Sequence, residues 1–196
     1  MKRWIVSGLV SALMSLPAWA ALQAGDVAPD FTLQASLNGK AFAYSLKAQL
    51  QKGPVVVYFY PSAYTGGCNI QARTFALNAD KFAAAGASVI GVSLDSIERL
   101  NKFSADPEYC AGKVAVASDA QGEVSRAFAL NVAERAGRKD TRGEDIDHAF
   151  VERTTFILTP DGKVAATVGG LPPVANVEKT LEVVQGLSTP ASGRPH

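Results

Sequence analysis

The sequence has few cysteines and almost no excess of one charge. Its 196 residues include two cysteines and two histidines, and its formal net charge is +1. Because no basic patch or long charge run is present, neither nucleic acid nor a membrane surface is an expected partner. The sequence has no internal repeat and no low-complexity tract, and its length suffices for a single domain with a hydrophobic core.

No apolar run is long enough to cross a membrane comfortably. The N-terminal run at residues 4–16 is short, follows two basic residues at 2–3, and precedes Ala-Trp-Ala at 18–20. The last three residues resemble a signal-peptidase site. We therefore predict that residues 1–20 are a signal peptide and that the protein is exported, to the periplasm or out of the cell. An uncleaved anchor or a helix of the fold is the alternative.

Cleavage near Ala20 would leave 176 residues with 17 basic and 18 acidic side chains. We predict one folded domain over residues 21–187 and a flexible tail over 188–196, which contains two prolines. An even cysteine count in an exported chain usually indicates a disulfide. Cys68 and Cys110 are the only candidates for it.

The stretch from residue 54 to 82 predicts a strand, a sharp loop and a helix. Residues 55–60 are continuously apolar or aromatic, which is typical of a strand buried on both faces. Pro61 ends that strand, and a glycine pair at 66–67 permits a tight bend. From Cys68 onward, apolar residues follow the spacing of one helix face as far as residue 83. Cys68 is therefore expected at a helix N-terminus, where free N–H groups and the helix dipole favour a thiolate.

The remaining pattern predicts an α/β fold with a mixed sheet. Asn38-Gly39 indicates a hairpin between strands at 31–35 and 40–44, and further strands are expected at 87–94, 114–118, 154–158 and 163–168. Helices are expected after Asp95 or Ser96, either of which can cap, between residues 122 and 130, and after residue 174. Residues 131–147 are charged and without period, which predicts a mobile surface insertion. His148, which follows them, is predicted to be a solvated loop residue.

The motif Pro61-x-x-x-Thr65-x-x-Cys68 after a buried strand resembles the active-site loop of the peroxiredoxins. Arg153 lies 85 residues after Cys68, opens a later strand, and matches the second part of their signature. The similarity covers about residues 25–187 and is greatest to the bacterioferritin comigratory protein, or peroxiredoxin Q, branch. It implies a thioredoxin-like sandwich, a mixed central sheet flanked by helices with an N-terminal hairpin, to which the order of elements also corresponds.

The resemblance implies a thiol peroxidase that reduces hydrogen peroxide or organic hydroperoxides through a sulfenic acid on Cys68. Thr65 would hydrogen-bond the attacked oxygen, Arg153 would hold the thiolate and stabilise developing charge, and Pro61 would shield the sulfur from water. Gln71 stands where the family often has glutamate, and its role is left open. No cofactor or metal is implied. A thioredoxin-like protein would be the reductant, and the enzyme would be a monomer or weak homodimer.

Cys110 is the candidate resolving cysteine. Many relatives of the peroxiredoxin Q type place that residue five positions after the first cysteine, where this chain has Arg73. Cys110 instead fits the arrangement in which the resolving cysteine lies at the third helix. The two cysteines are 42 residues apart, and some unwinding of the Cys68 helix would be required for them to meet. A permanent structural disulfide and a bystander cysteine remain alternatives.

Three other functions compete with the peroxidase. An exported disulfide reductase needs Cys-x-x-Cys, but the residue three before Cys68 is Thr65. A copper-binding protein on the same scaffold needs Cys-x-x-x-Cys with a histidine, and positions 64 and 72 are tyrosine and alanine. A peroxide sensor, in which Cys68 passes its oxidation on, is compatible with every residue.

Overall fold

The computed structural model describes residues 21–188, so the predicted signal peptide and residues 189–196 of the predicted tail lie outside the described residues. The strands are β1 Thr32–Leu37, β2 Lys40–Ser45, β3 Val55–Phe59, β4 Ser88–Ser93, β5 Ala115–Ser118, β6 Val132–Ala133, β7 Phe150–Val151, β8 Thr154–Leu158 and β9 Val164–Gly169. The helices are α1 Leu46–Leu50, α2 Gly66–Leu77, α3 Ala79–Ala84, α4 Ile97–Ala105, α5 Glu123–Ala127 and α6 Pro173–Ser188.

Seven strands form one mixed sheet in the order β2-β1-β5-β4-β3-β8-β9, and β6 and β7 form a separate two-stranded ribbon. β3 is parallel to β4 and antiparallel to β8. The predicted hairpin is present, with Leu37 opposite Lys40 and positive φ at Asn38 and Gly39, as a tight two-residue turn requires. The architecture confirms the predicted thioredoxin-like sandwich with its N-terminal hairpin.

Side chains of β3 alternate between two hydrophobic clusters, one on each face of the sheet. Val56 and Tyr58 belong to the cluster that contains both cysteines together with residues of α2, α3, α4 and α6. Val55, Val57 and Phe59 belong to the cluster on the opposite face. Because all five residues of β3 are buried, the strand is fixed from both sides and holds the loop that follows it.

The structure changes two predicted helix boundaries. The single helix predicted from Cys68 to residue 83 is divided at Asn78 into α2 and α3. The last helix extends to Ser188, the first residue of the predicted tail. Within residues 21–188, no helix combines the length and the apolar character needed to cross a membrane.

Candidate active site

Cys68 lies in the first turn of α2, as predicted, and its side chain is almost fully buried. Thr65 occupies the N-cap position of the helix in extended conformation. Its hydroxyl does not cap a helix N–H but donates to the Ser62 carbonyl at 2.8 Å. The preceding residue, Tyr64, has a φ of 61°, which is uncommon for a residue with a side chain. The loop is thus folded back on itself, and the Thr65 oxygen keeps its capacity to accept a hydrogen bond.

The Arg153 guanidinium reaches the Cys68 thiol. Its Nη2 donates to Sγ at 3.4 Å, although the two residues are far apart in sequence. A Cβ atom built on Gly67 would lie 3.1 Å from the same guanidinium nitrogen. The second glycine of the pair therefore gives Arg153 the room to approach the sulfur. The structure brings together Thr65, Cys68 and Arg153, as the sequence motif predicts.

A buried polar network holds Arg153 from behind. Its Nη1 donates to Gln71 Oε1, and Gln71 Nε2 donates to Asn176 Oδ1 at 3.0 Å. Asn176 Oδ1 also accepts from the Thr155 hydroxyl at 2.8 Å, and Asn176 Nδ2 donates to the Val168 carbonyl at 3.0 Å. The structure therefore assigns Gln71 a position that sequence reasoning left open. Asn176 was missed, because no motif distinguishes a single asparagine on an amphipathic helix.

Asp95 is fully buried beneath the loop and was also missed as a site residue. Its carboxylate accepts the Ala63 N–H at 2.7 Å and the hydroxyls of Ser62 and Ser93 at 2.8 and 2.7 Å. Burial by itself would raise the pKa of Asp95, but the hydrogen bonds from His148, Ser93 and Ala63 outweigh it and lower that pKa. Ser96, rather than Asp95, caps α4 by accepting from a backbone N–H. Asp95 instead fixes the backbone of the active-site loop.

The prediction that His148 is a solvated loop residue is wrong. Its side chain is only 12% exposed, and Nε2 lies 2.9 Å from the Asp95 carboxylate. Burial alone would lower the pKa of His148, but the hydrogen bond and charge of Asp95 raise it above its usual value. Periodicity could not identify this contact, since it joins residues 53 positions apart on different elements.

The predicted mobile insertion is corrected for residues 138–144, which pack on the active-site loop. Thr141 donates through its hydroxyl to the Tyr64 carbonyl at 2.8 Å. The Arg142 guanidinium lies over the Tyr64 ring, 3.3 Å from its centroid. Asp140 is buried and accepts hydrogen bonds from Arg99 and Arg142 at 2.7 and 2.8 Å. These bonds outweigh the effect of burial and lower the pKa of Asp140 to about 2.

Cys110 lies after α4 in the same hydrophobic cluster as Cys68, and both thiols are free and buried. Burial, followed by the nearby Asp106 carboxylate, raises the pKa of the Cys110 thiol. Arg73, where many relatives have the resolving cysteine, donates to the Pro107 carbonyl at 2.9 Å and so links α2 to the segment before Cys110.

Pro61 follows β3 at the start of the loop and is partly exposed, beside an open cavity bordered by the β6–β7 ribbon. Among residues 21–188, no group of three or more histidine, cysteine, aspartate or glutamate side chains is arranged to hold a metal ion. The chemistry available at the site is therefore that of a thiol beside a guanidinium at a helix N-terminus.

Comparison with known sequences identifies a family match over most of the chain. Residues 24–167 match the family model described as AhpC/TSA. The chain is 33% identical over 143 residues to peroxiredoxin Bcp of Escherichia coli K12, covering 73% of this chain and 83% of that protein. It is 30% identical over 161 residues to a protein named putative peroxiredoxin bcp of Helicobacter pylori J99, covering 82% and 97%.

Solved structures show the same similarity. Peroxidoxin BcpB of Mycobacterium tuberculosis superimposes with a TM-score of 0.71 at 30% identity, over 85% of this chain and 98% of that one. The bacterioferritin comigratory protein of Xanthomonas campestris gives a TM-score of 0.64 at 26% identity, over 80% and 92%. The structure of the latter is described in terms of alkyl peroxide reduction.

Proposed function

Because this chain belongs to the AhpC/TSA family and is a thiol-dependent peroxidase, we propose that Cys68 is the thiol that attacks the peroxide. The observation that supports this most directly is the Arg153 guanidinium, which donates to the Cys68 sulfur at 3.4 Å. A positive group and a helix N-terminus both favour the thiolate, which is the nucleophilic form.

In the first step the Cys68 thiolate attacks one peroxide oxygen. A sulfur–oxygen bond forms, the oxygen–oxygen bond breaks, and the departing oxygen leaves as water or an alcohol after taking up a proton. The sulfur becomes a sulfenic acid and is oxidised by two electrons. Arg153 stabilises the charge that develops between the two oxygens. The Thr65 hydroxyl, which already donates to Ser62, accepts a hydrogen bond from the peroxide.

In the second step the Cys110 thiolate attacks the Cys68 sulfenic sulfur, forms a disulfide and releases water. Membership of the same hydrophobic cluster supports this pairing. Both thiols are buried, however, and the raised pKa of Cys110 disfavours its thiolate. Local opening of the first turn of α2 and of the segment around Cys110 must therefore precede the bond.

The test of both steps is intact mass of the reduced protein after one equivalent of hydrogen peroxide. We expect loss of two hydrogens in the wild type, and a sulfenic acid that a trapping reagent captures in Cys110→Ser. Cys68→Ser should lose peroxidase activity and keep its fold. A wild type that accumulates trappable sulfenic acid would contradict the resolving role, and turnover by Cys68→Ser would contradict the catalytic one.

Peroxiredoxins are recycled by thioredoxin-like reductants, and a partner of that class is proposed here. Either hydrogen peroxide or an organic hydroperoxide would serve as oxidant, and a monomer or weak homodimer would be active. A disulfide reductase has no support, because Cys68 and Cys110 belong to different elements and do not form Cys-x-x-Cys.

Export is also proposed, on the basis of the N-terminal pattern alone. Intact mass of the protein recovered from the periplasm or medium should correspond to a chain that begins after Ala20. A protein that keeps residues 1–20 and stays in the cytoplasm would contradict the proposal.

A further inference from the structure

An open cavity of about 220 Å³ lies beside the active-site loop. We propose that it binds the organic part of an anionic hydroperoxide, with the carboxylate of the substrate facing Arg135 and Arg138. The proposal rests on the peroxidase function and specifies which substrate class the same site prefers.

The position of the cavity connects it with the reacting sulfur. Pro61, the first residue of the motif that ends at Cys68, forms part of its lining. Glu152, another lining residue, directly precedes Arg153, which reaches the sulfur. A hydroperoxide whose reactive end is at Cys68 can therefore extend its organic part along the start of the loop.

The wall of the cavity offers an apolar surface. Phe150 and Val151 of β7 and Ala133 of β6 contribute to it, and Pro61 closes one side. These groups suit contact with an alkyl or aryl group, and small-molecule sites commonly combine such a surface with a few polar groups that fix orientation.

The charges at the cavity favour an anion. Arg135 and Arg138 both line it and are exposed. Within residues 21–188, neither guanidinium forms an ion pair, whereas Arg99 and Arg142 of the neighbouring cluster are both paired with Asp140. Glu152 is the single acidic residue of the described lining, so the lining carries one net positive charge. A carboxylate is the group that guanidinium side chains bind best, through paired hydrogen bonds.

The test compares cumene hydroperoxide with its ring-carboxylated analogue, two peroxides that differ by one carboxylate. The second-order rate constant for oxidation of Cys68 is measured for each by rapid quench and alkylation, and their ratio is taken within each variant. General losses of activity cancel in that ratio. In the wild type at low salt we expect a preference of about fivefold for the carboxylated peroxide, the scale of one or two exposed ion pairs.

The ratio should fall towards one in the double variant Arg135→Gln/Arg138→Gln and at high salt, which screens exposed charges. Glu152→Gln should increase it, because a repulsive charge is removed. The control Lys40→Gln, on the edge strand β2, should keep the wild-type ratio and the wild-type rate with hydrogen peroxide.

A wild-type ratio near one with both peroxides reduced would overturn the inference and leave the peroxidase function intact. A preference that persists in the double variant would overturn it too, because the carboxylate would then be bound elsewhere. Failure of the wild type to react with either peroxide or with hydrogen peroxide would overturn the proposed function and the inference together.

Discussion

Cys68 and Cys110 belong to the same buried cluster, but their electrostatic surroundings are opposite. Cys68 has the N-terminus of a twelve-residue helix and the Arg153 guanidinium at 3.4 Å. Cys110 has no such cation; burial and the Asp106 carboxylate both raise the pKa of its thiol. Equal burial therefore does not make equal thiols. The comparison indicates that one cysteine is prepared to react in the folded state, and that the other reacts only after its surroundings change.

The largest expected effect comes from removing the cation on the Cys68 side. Arg153→Ala should slow the reaction with hydrogen peroxide at least tenfold, about 1.4 kcal/mol of barrier, because neither the thiolate nor the transition-state charge is then stabilised. The measurement is the second-order rate constant for oxidation of Cys68. Arg126→Ala is the matched control, since that side chain donates to the Gln121 carbonyl at the surface. An unchanged rate would remove the guanidinium from the mechanism.

A smaller effect is expected from loosening Arg153 without removing it. Gln71→Leu deletes the acceptor of its Nη1, and should slow oxidation about threefold to tenfold, the scale of one hydrogen bond. Gln71→Glu keeps that acceptor and should retain the rate. It should also reduce stability, because Asn176 Oδ1 then faces a second acceptor instead of an N–H donor. Equal rates in Gln71→Leu and Gln71→Glu would contradict a positioning role.

On the Cys110 side, reducing the unfavourable charge should help. Asp106→Asn keeps an oxygen to accept from the Glu108 N–H, which the native carboxylate does at 2.9 Å, and removes the charge that raises the pKa of Cys110. We expect disulfide formation to become about two- to threefold faster near neutral pH, as a larger thiolate fraction allows. The rate of disulfide formation after rapid oxidation measures this. The control is Asp80→Asn in the first turn of α3, and a slower or unchanged rate would contradict the prediction.

The smallest effect concerns the pH dependence of stability beneath the loop. The folded-state pKa of His148 is raised, so its contribution is complete below the ordinary histidine pKa of about 6.5 and is lost as pH rises through the folded value. The pKa of Asp95 is lowered, so its contribution is present above its ordinary pKa and is lost as pH falls through the folded value.

The free energy of unfolding, measured by denaturant titration from pH 3 to 9, should therefore decrease towards both ends for the wild type. His148→Gln should flatten the alkaline side and keep the acid side. An unchanged alkaline side in that variant would show that another group titrates there.

Local patterns predicted the fold well because they determine it locally. The buried run that became β3, the Asn38-Gly39 turn and the strand–helix–strand crossover each depend on neighbouring residues, and all are present. The motif from Pro61 to Cys68 and the later Arg153 were recognisable in the same way. The contacts of residues 138–148 with the loop were not, because hydrogen bonds between distant charged residues leave no periodicity in a sequence.

The sequence by itself determined which cysteine begins a helix after a buried strand, and which arginine opens a later strand. Only the tertiary structure decided that Arg153 reaches that cysteine beside Gly67, that Gln71 and Asn176 hold it, and that Asp95 and His148 support the loop. The physical reason is that helix starts, turns and strands follow from short-range sterics and hydrogen bonding. Buried polar networks depend instead on which distant side chains the packed sheet brings within about 3 Å of one another.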